Sequence, residues 1–153
     1  MGGRTVYGGG GITPDYIVKS ADITDLTKNL LRHDTFFPFI TAFLDQEAPK
    51  LRLQYKDDFK AFNQDYQISG ELLANFRTFI EKKDIKVDDK SYEKDKVYIK
   101  ARLKAYMARS LWGNDGWYTV MLDVDPQLQK ALTLFPEAQK IAGLDREPRT
   151  KTN

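Results

Sequence analysis

The chain has no cysteine and a single histidine in 153 residues. The first absence excludes a thiol nucleophile, disulfides and thiolate metal ligands. The second excludes any site built on paired histidines, and a Ser-His-Asp triad would have to use His33. His33 lies between "NLLR" and "DTFF", at the end of a predicted helix where the helix dipole favours an imidazolium, so it reads as structural. Long apolar runs are lacking too. No stretch of about 18 apolar residues could form a membrane-crossing helix, and the amino terminus has no signal-peptide core. "MGGRTV" places Val6 where an N-myristoylation signal needs Ser or Thr. Neither sign of charge dominates. The 24 Lys and Arg are interleaved with 22 Asp and Glu, a net charge of +2, without the concentrated basic face that nucleic acid demands. Neither nucleic acid nor membrane insertion is therefore expected.

The remaining composition, 41% apolar and 30% charged, is that of a soluble domain with a modest core. Residues 1–19 read as a glycine-rich β-like arm. Thr5, Val6 and Tyr7 favour extended backbone, as do Tyr16, Ile17 and Val18, and between them runs Gly8-Gly9-Gly10-Gly11. Pro14 keeps Thr13 out of the helical region, so the chain leaves the glycines extended. Two strands alone are marginal in water, which implies another partner for this arm.

Residues 20–145 carry helical periodicity, and the fold class expected is mainly α, a helical domain of about five to six helices. Asp22 is the expected N-cap of a first helix with Ile23, Leu26, Leu30 and Leu31 on one face. A second is expected over 34–47, with Phe36, Phe39, Ile40, Phe43 and Leu44 aligned, Pro38 in its first turn and Pro49 ending it. A short piece over 57–63 carries Phe59 and Phe62. Ser69 caps a helix through about Lys83, followed by the connector "DIKVDD". The longest helix is expected over 91–112, with Gly113 as its left-handed C-terminal residue. "NDGWYTVMLDVD" reads as a loop with a short strand at 118–122. Asp125-Pro126 is an N-cap followed by proline at the first helical position, and Pro136 breaks or restarts that helix before Gly143 ends it. Residues 146–153 form a polar tail.

The search for chemistry yields no catalytic residue, cofactor site or metal site. Ser20, Ser69 and Ser91 precede predicted helices as caps, and Ser110 lies on a different helix face from Lys104. The carboxylates of "DDFKAFNQD" and "KVDDKSYEKD" lack the spacing and glycine of a calcium loop and read as solvated faces. The aromatic stripes read as core. The glycine run has no following lysine for a phosphate loop, and Pro14-Asp15 follows it where a dinucleotide fold needs a helix. Its use is a backbone one: positive φ, close strand approach or a bulge at a sheet edge.

"GRTVYGGGGITPDYIV" resembles the end of the protease domain in the C-terminal processing peptidases, the tail-specific serine proteases. Gly3, Arg4, Val6, Tyr7, Gly8, Gly9, Gly10, Gly11, Ile12, Pro14 and Asp15 fit the pattern, while Tyr16 stands where an aliphatic residue is commoner. "ARSLWGNDGWYTVMLDVDPQLQKAL" extends the resemblance more weakly into the helical part. What the resemblance implies is a serine activated by a lysine on a protease domain, both preceding Arg4 in the family's order. This chain would then start after the active site and be inactive alone. Its expected partner is that protease domain or another protein chain, with room for an oligomer, and the implied location of a full-length parent is the bacterial cell envelope. An alternative of a different class is a free-standing helical interaction module whose arm adds a strand to a partner's sheet.

Overall fold

The computed structural model describes residues 14, 16–56 and 58–142. Among them are eight helices and no strand: α1 (Asp25–Arg32), α2 (Phe36–Tyr55), α3 (Phe59–Asp65), α4 (Gly70–Glu81), α5 (Asp89–Trp112), α6 (Asn114–Leu122), α7 (Pro126–Thr133) and α8 (Phe135–Ala142). The mainly α expectation holds, with more helices among the described residues than the five to six read from periodicity.

The 24-residue α5 is the axis of the fold, about 36 Å long at 1.5 Å per residue. It buries Tyr92, Ile99, Leu103 and Met107 along one stripe, against which α1 and α2 pack. From α2 come Phe36, Phe39, Ile40 and Leu44, and from α4 Leu72, Leu73, Phe76 and Ile80, all buried. Phe36 stacks on Phe76 at 5.0 Å between ring centroids, and Phe39 meets the same ring edge-on at 5.1 Å. At the other end of α2, Tyr55 meets Phe62 of α3 edge-on, and Phe62 also touches Trp112 at 4.7 Å. Each such ring contributes about 1.5–3 kcal/mol through burial and a fraction more through its geometry. The phenylalanine stripes are core, as expected from their spacing.

Several ends are set by legible caps. Ser69 Oγ accepts from the Leu72 amide at 3.0 Å, and Asp125 accepts from the amides of Gln127 and Leu128 with Pro126 at the first position. Two other ends use a device that composition conceals. After α1 the Thr35 amide donates to Leu30 O and the Asp34 amide to Leu31 O; after α4 the Ile85 amide donates to Ile80 O and the Asp84 amide to Glu81 O. These paired bonds form a Schellman-type stop, usually built on glycine, but here Asp34 and Asp84 take the left-handed position at φ 44° and 59°. Burial of Thr35 and Ile85 just beyond each turn offsets the strain.

The structure corrects several boundaries. Pro49 does not end α2, which runs on to Tyr55 because Leu51 and Tyr55 are buried there. The helix tolerates the loss of one amide donor toward Asp45, on an exposed face. Asp34 lies in the turn before α2 rather than starting it. Ser91 is within the first turn of α5, whose N-cap is Asp88, accepting from the Ser91 amide at 2.8 Å. Asp22 does not cap α1. It pairs with Lys94 at 3.0 Å, while Thr24 holds the N-cap position.

The largest correction is α6, where a loop and short strand were expected. Gly113 has φ 82° and ψ −168°, a glycine conformation that ends α5 and starts α6 at one residue. α6 then folds back along α5. A Cβ on Gly116 would meet Ala108 O at 3.0 Å, so this glycine lets the two backbones approach. Trp117 packs edge-on against Tyr106 at 4.6 Å, and the Arg102 guanidinium lies 4.9 Å from its ring centroid. Tyr118–Leu122, expected extended, is helical with Val120 buried.

Candidate functional site

Gly3, Arg4, Val6, Tyr7, Gly8, Gly9, Gly10, Gly11, Ile12 and Asp15 lie outside the described residues. Pro14 is exposed and leads into Tyr16, Ile17 and Val18, which have no strand structure; the strand expected there is corrected to an irregular segment. That segment sits against α7 and α8. Gln127 Nε2 donates to Val18 O at 2.9 Å, Tyr16 Oη donates to Glu137 Oε2 at 3.0 Å, and Lys130 Nζ lies 5.3 Å from the Tyr16 ring centroid. Tyr16 thus joins this segment to two helices. Between them is a groove of about 360 Å³, lined by Pro14, Tyr16, Ile17, Gln127, Ala131 and Leu134 among others. Its surroundings stay apolar and open, with Ile17 86% exposed and no residue of α7 buried.

A second cleft, about 210 Å³, lies along α5 beside the core stripe, with the buried Ile68 and Val120 in its walls. Val97, Lys100, Ala101 and Lys104 follow one another at helical spacing and form its floor. Gln67 and Ile68, from the link between α3 and α4, form one wall; Val120, Asp123 and Val124, from the end of α6 and the residues after it, form the other. Lys104 Nζ donates to Asn63 O at 2.8 Å, capping the last turn of α3, and lies 5.7 Å from the Phe62 ring centroid. Burial lowers its pKa below the ordinary lysine value, and the Asp123 carboxylate opposes that shift.

His33 and Ser110, set aside as structural, are found in structural roles. His33 is the exposed C-cap of α1, its Nδ1 3.0 Å from Asn29 O. Ser110 Oγ donates to Tyr106 O within α5. Among the described residues no group of three or more His, Asp or Glu is placed to hold a metal ion, and no helix is long and apolar enough to cross a membrane. The lysine cleft was missed in the sequence because its far wall was read as a loop. The available signal was Lys100, Ala101 and Lys104 at helical spacing on α5, on the flank of the stripe that carries Ile99 and Leu103.

Among the described residues, fold and surface together define a mainly helical domain with a seated N-terminal segment and a small cleft that carries two lysines. Residues 26–113 match the model of a family of unknown function, DUF8443, and since this is more than half of the chain, the protein belongs to that family. The match runs from α1 to the residue joining α5 to α6. No curated protein and no solved structure matches the chain.

Proposed function

We propose that this chain is the carboxy-terminal, non-catalytic helical part of a serine peptidase of the C-terminal processing family, whose whole enzyme hydrolyses proteins near their carboxyl termini. The observation that carries this reading is the stretch from Gly3 to Asp15, which resembles the close of that family's protease domain at eleven positions. The seating of the residues that follow supports it. A strand that closed a protease sheet would pass at Pro14 into a segment tied to α7 by Gln127 and to α8 by Tyr16. The helical body would then be held at a set orientation to the protease domain rather than on a free tether. It would contribute packing and access, while the serine and lysine doing the chemistry reside on the preceding domain.

The test is an immunoblot of source cells with antibody raised against the purified chain, read with the in-frame DNA upstream of Met1. The expected result is a polypeptide well above 17.6 kDa and an uninterrupted frame encoding a protease domain. A sole band at 17.6 kDa with a stop codon and ribosome-binding site just upstream overturns the reading. The exposure of Ile17 favours a second reading in that event, an interaction module that adds its arm to a partner's sheet. Protection of residues 4–18 from proteolysis by that partner is its test.

A further inference from the structure

The cleft on α5 combines features that neither the fold nor the peptidase reading uses. Its volume of about 210 Å³ equals some seven waters at roughly 30 Å³ each, below the usual 300–1,000 Å³ of a site for a whole cofactor or drug-sized ligand. It accommodates one small unit. Four of its nine lining residues are aliphatic and branched: Ile68, Val97, Val120 and Val124. Two are lysines, and one is an aspartate.

Those groups sort into complementary parts. Lys100 and Lys104 stand four residues apart on one helix face and both line the cleft, a spacing that lets two long side chains reach one anion. Lys104 gives one N–H to Asn63 O, and an ammonium has three. Its charge is partly desolvated, as the lowered pKa records, so an anion arriving there gains more than it would at an open surface. Asp123 in the opposite wall penalises a dianion such as phosphate, yet accepts from an N–H or ammonium adjoining a monoanion. Val97, 71% exposed, has no protein partner covering it that matches its apolar character, and a ligand side chain would cover it.

We propose that this cleft binds the α-carboxylate end of an aliphatic amino-acid unit, with Lys100 and Lys104 on the carboxylate, Asp123 on the adjacent nitrogen, and Ile68, Val97, Val120 and Val124 around the side chain. A free amino acid and the last residue of a peptide share this chemistry. The inference does not depend on the peptidase reading, since it uses only residues from α3 to the link between α6 and α7.

The experiment is methyl NMR of the full chain with labelled Ile and Val, titrated separately with L-valine, N-acetyl-L-valine, N-acetyl-L-valinamide and inorganic phosphate. The expected result is saturable shifts at Ile68, Val97, Val120 and Val124 with one or both acids, and none with the amide or phosphate. Tighter binding of L-valine assigns a free amino acid; tighter binding of the acetylated acid assigns a chain terminus. Lys104→Met removes the cap on α3 as well, so Lys100→Met is the main variant, expected to weaken binding at least about tenfold, the loss of one charge-assisted hydrogen bond. Circular dichroism checks that its helix content is unchanged. Equal binding of amide and acid, binding of phosphate as tight as that of the acids, wild-type affinity in Lys100→Met, or no saturable shift with either acid overturns the proposal.

Discussion

Asp95 is a carboxylate in the interior of a helical core, 3% exposed, and its partners are neutral. Its Oδ2 accepts from the Thr24 amide at 2.8 Å and from Thr24 Oγ1 at 2.6 Å. Thr24 is the N-cap of α1 and makes no side-chain cap bond of its own. A residue 71 positions away therefore stands where a local cap would act, and brings negative charge to the positive end of the α1 dipole. Asp95→Ala removes both bonds and leaves the Thr24 amide without its acceptor. A hydrogen bond to a charged group is worth about 1.5–3 kcal/mol, and the dipole adds about 0.3–1. Allowing for non-additivity, the loss should be about 2–4 kcal/mol, a large share of the roughly 5–15 that holds a domain of this size folded.

Two companion variants separate the contributions. Asp95→Asn keeps an oxygen for the Thr24 amide but not the charge, and should cost about half as much as alanine. Thr24→Val removes the hydroxyl alone and should cost about 1.5–2 kcal/mol, the low end for a bond to a charged group. Guanidinium unfolding followed by fluorescence of the two tryptophans measures each, and the Thr24–Asp95 cycle should give a coupling of about 1–2 kcal/mol. Hydrogen exchange should localise the damage, with α1 amides losing protection in Asp95→Ala before those of α4. A cost under about 0.5 kcal/mol, or no coupling, would refute the role assigned to this carboxylate.

Gly116→Ala should destabilise by about 1–2 kcal/mol, although alanine is the better helix former by about 1, because the new Cβ meets the backbone of α5 at Ala108. A denaturation midpoint above wild type would contradict that close approach. Burial pushes the pKa of Tyr92 up to about 12, and that of Tyr66 likewise, so the native state keeps protons that the unfolded chain releases near pH 10. The resulting stability is fully present below pH 10 and is lost as pH rises toward 12, by about 2 kcal/mol for Tyr92 and less for the more exposed Tyr66. Tyr92→Phe gives up the bond to Leu73 O and should flatten this alkaline slope; an unchanged slope counts against it. Pro49→Ala restores an amide donor within α2 and should stabilise by about 1–3 kcal/mol, checked by thermal unfolding, with a lower melting temperature as the adverse outcome.

What could be read from sequence divides by the range of the force involved. Ser69, Asp125-Pro126 and Gly113 act on backbone within a few residues, and their roles follow from their own chemistry. Asp34 and Asp84 act just as locally, but aspartate is commoner before a helix than after one, so its left-handed use was read as a helix start at Asp34 and as part of a connector at Asp84. Pro49 shows a local penalty overruled by tertiary gain, since ending α2 there would forgo burial of Leu51 and Tyr55. α6 is the extreme case. Asn114-Asp115-Gly116 has the composition of a turn, and only the surface of α5 at Ala108 explains why a glycine serves a helix there. The cleft inherits that dependence: Lys100 and Lys104 are visible in the sequence as one face of α5, but Val120 and Asp123 become its wall only once α6 folds back. The arm differs again: its resemblance to the close of a protease domain, from Gly3 to Asp15, is a proposal that rests on sequence alone. Under the two proposals, function in this chain is to be sought at two places of different kind. One is a segment whose meaning would lie in a domain it joins, and the other is a cleft whose walls depend on a helix pairing that no short stretch encodes.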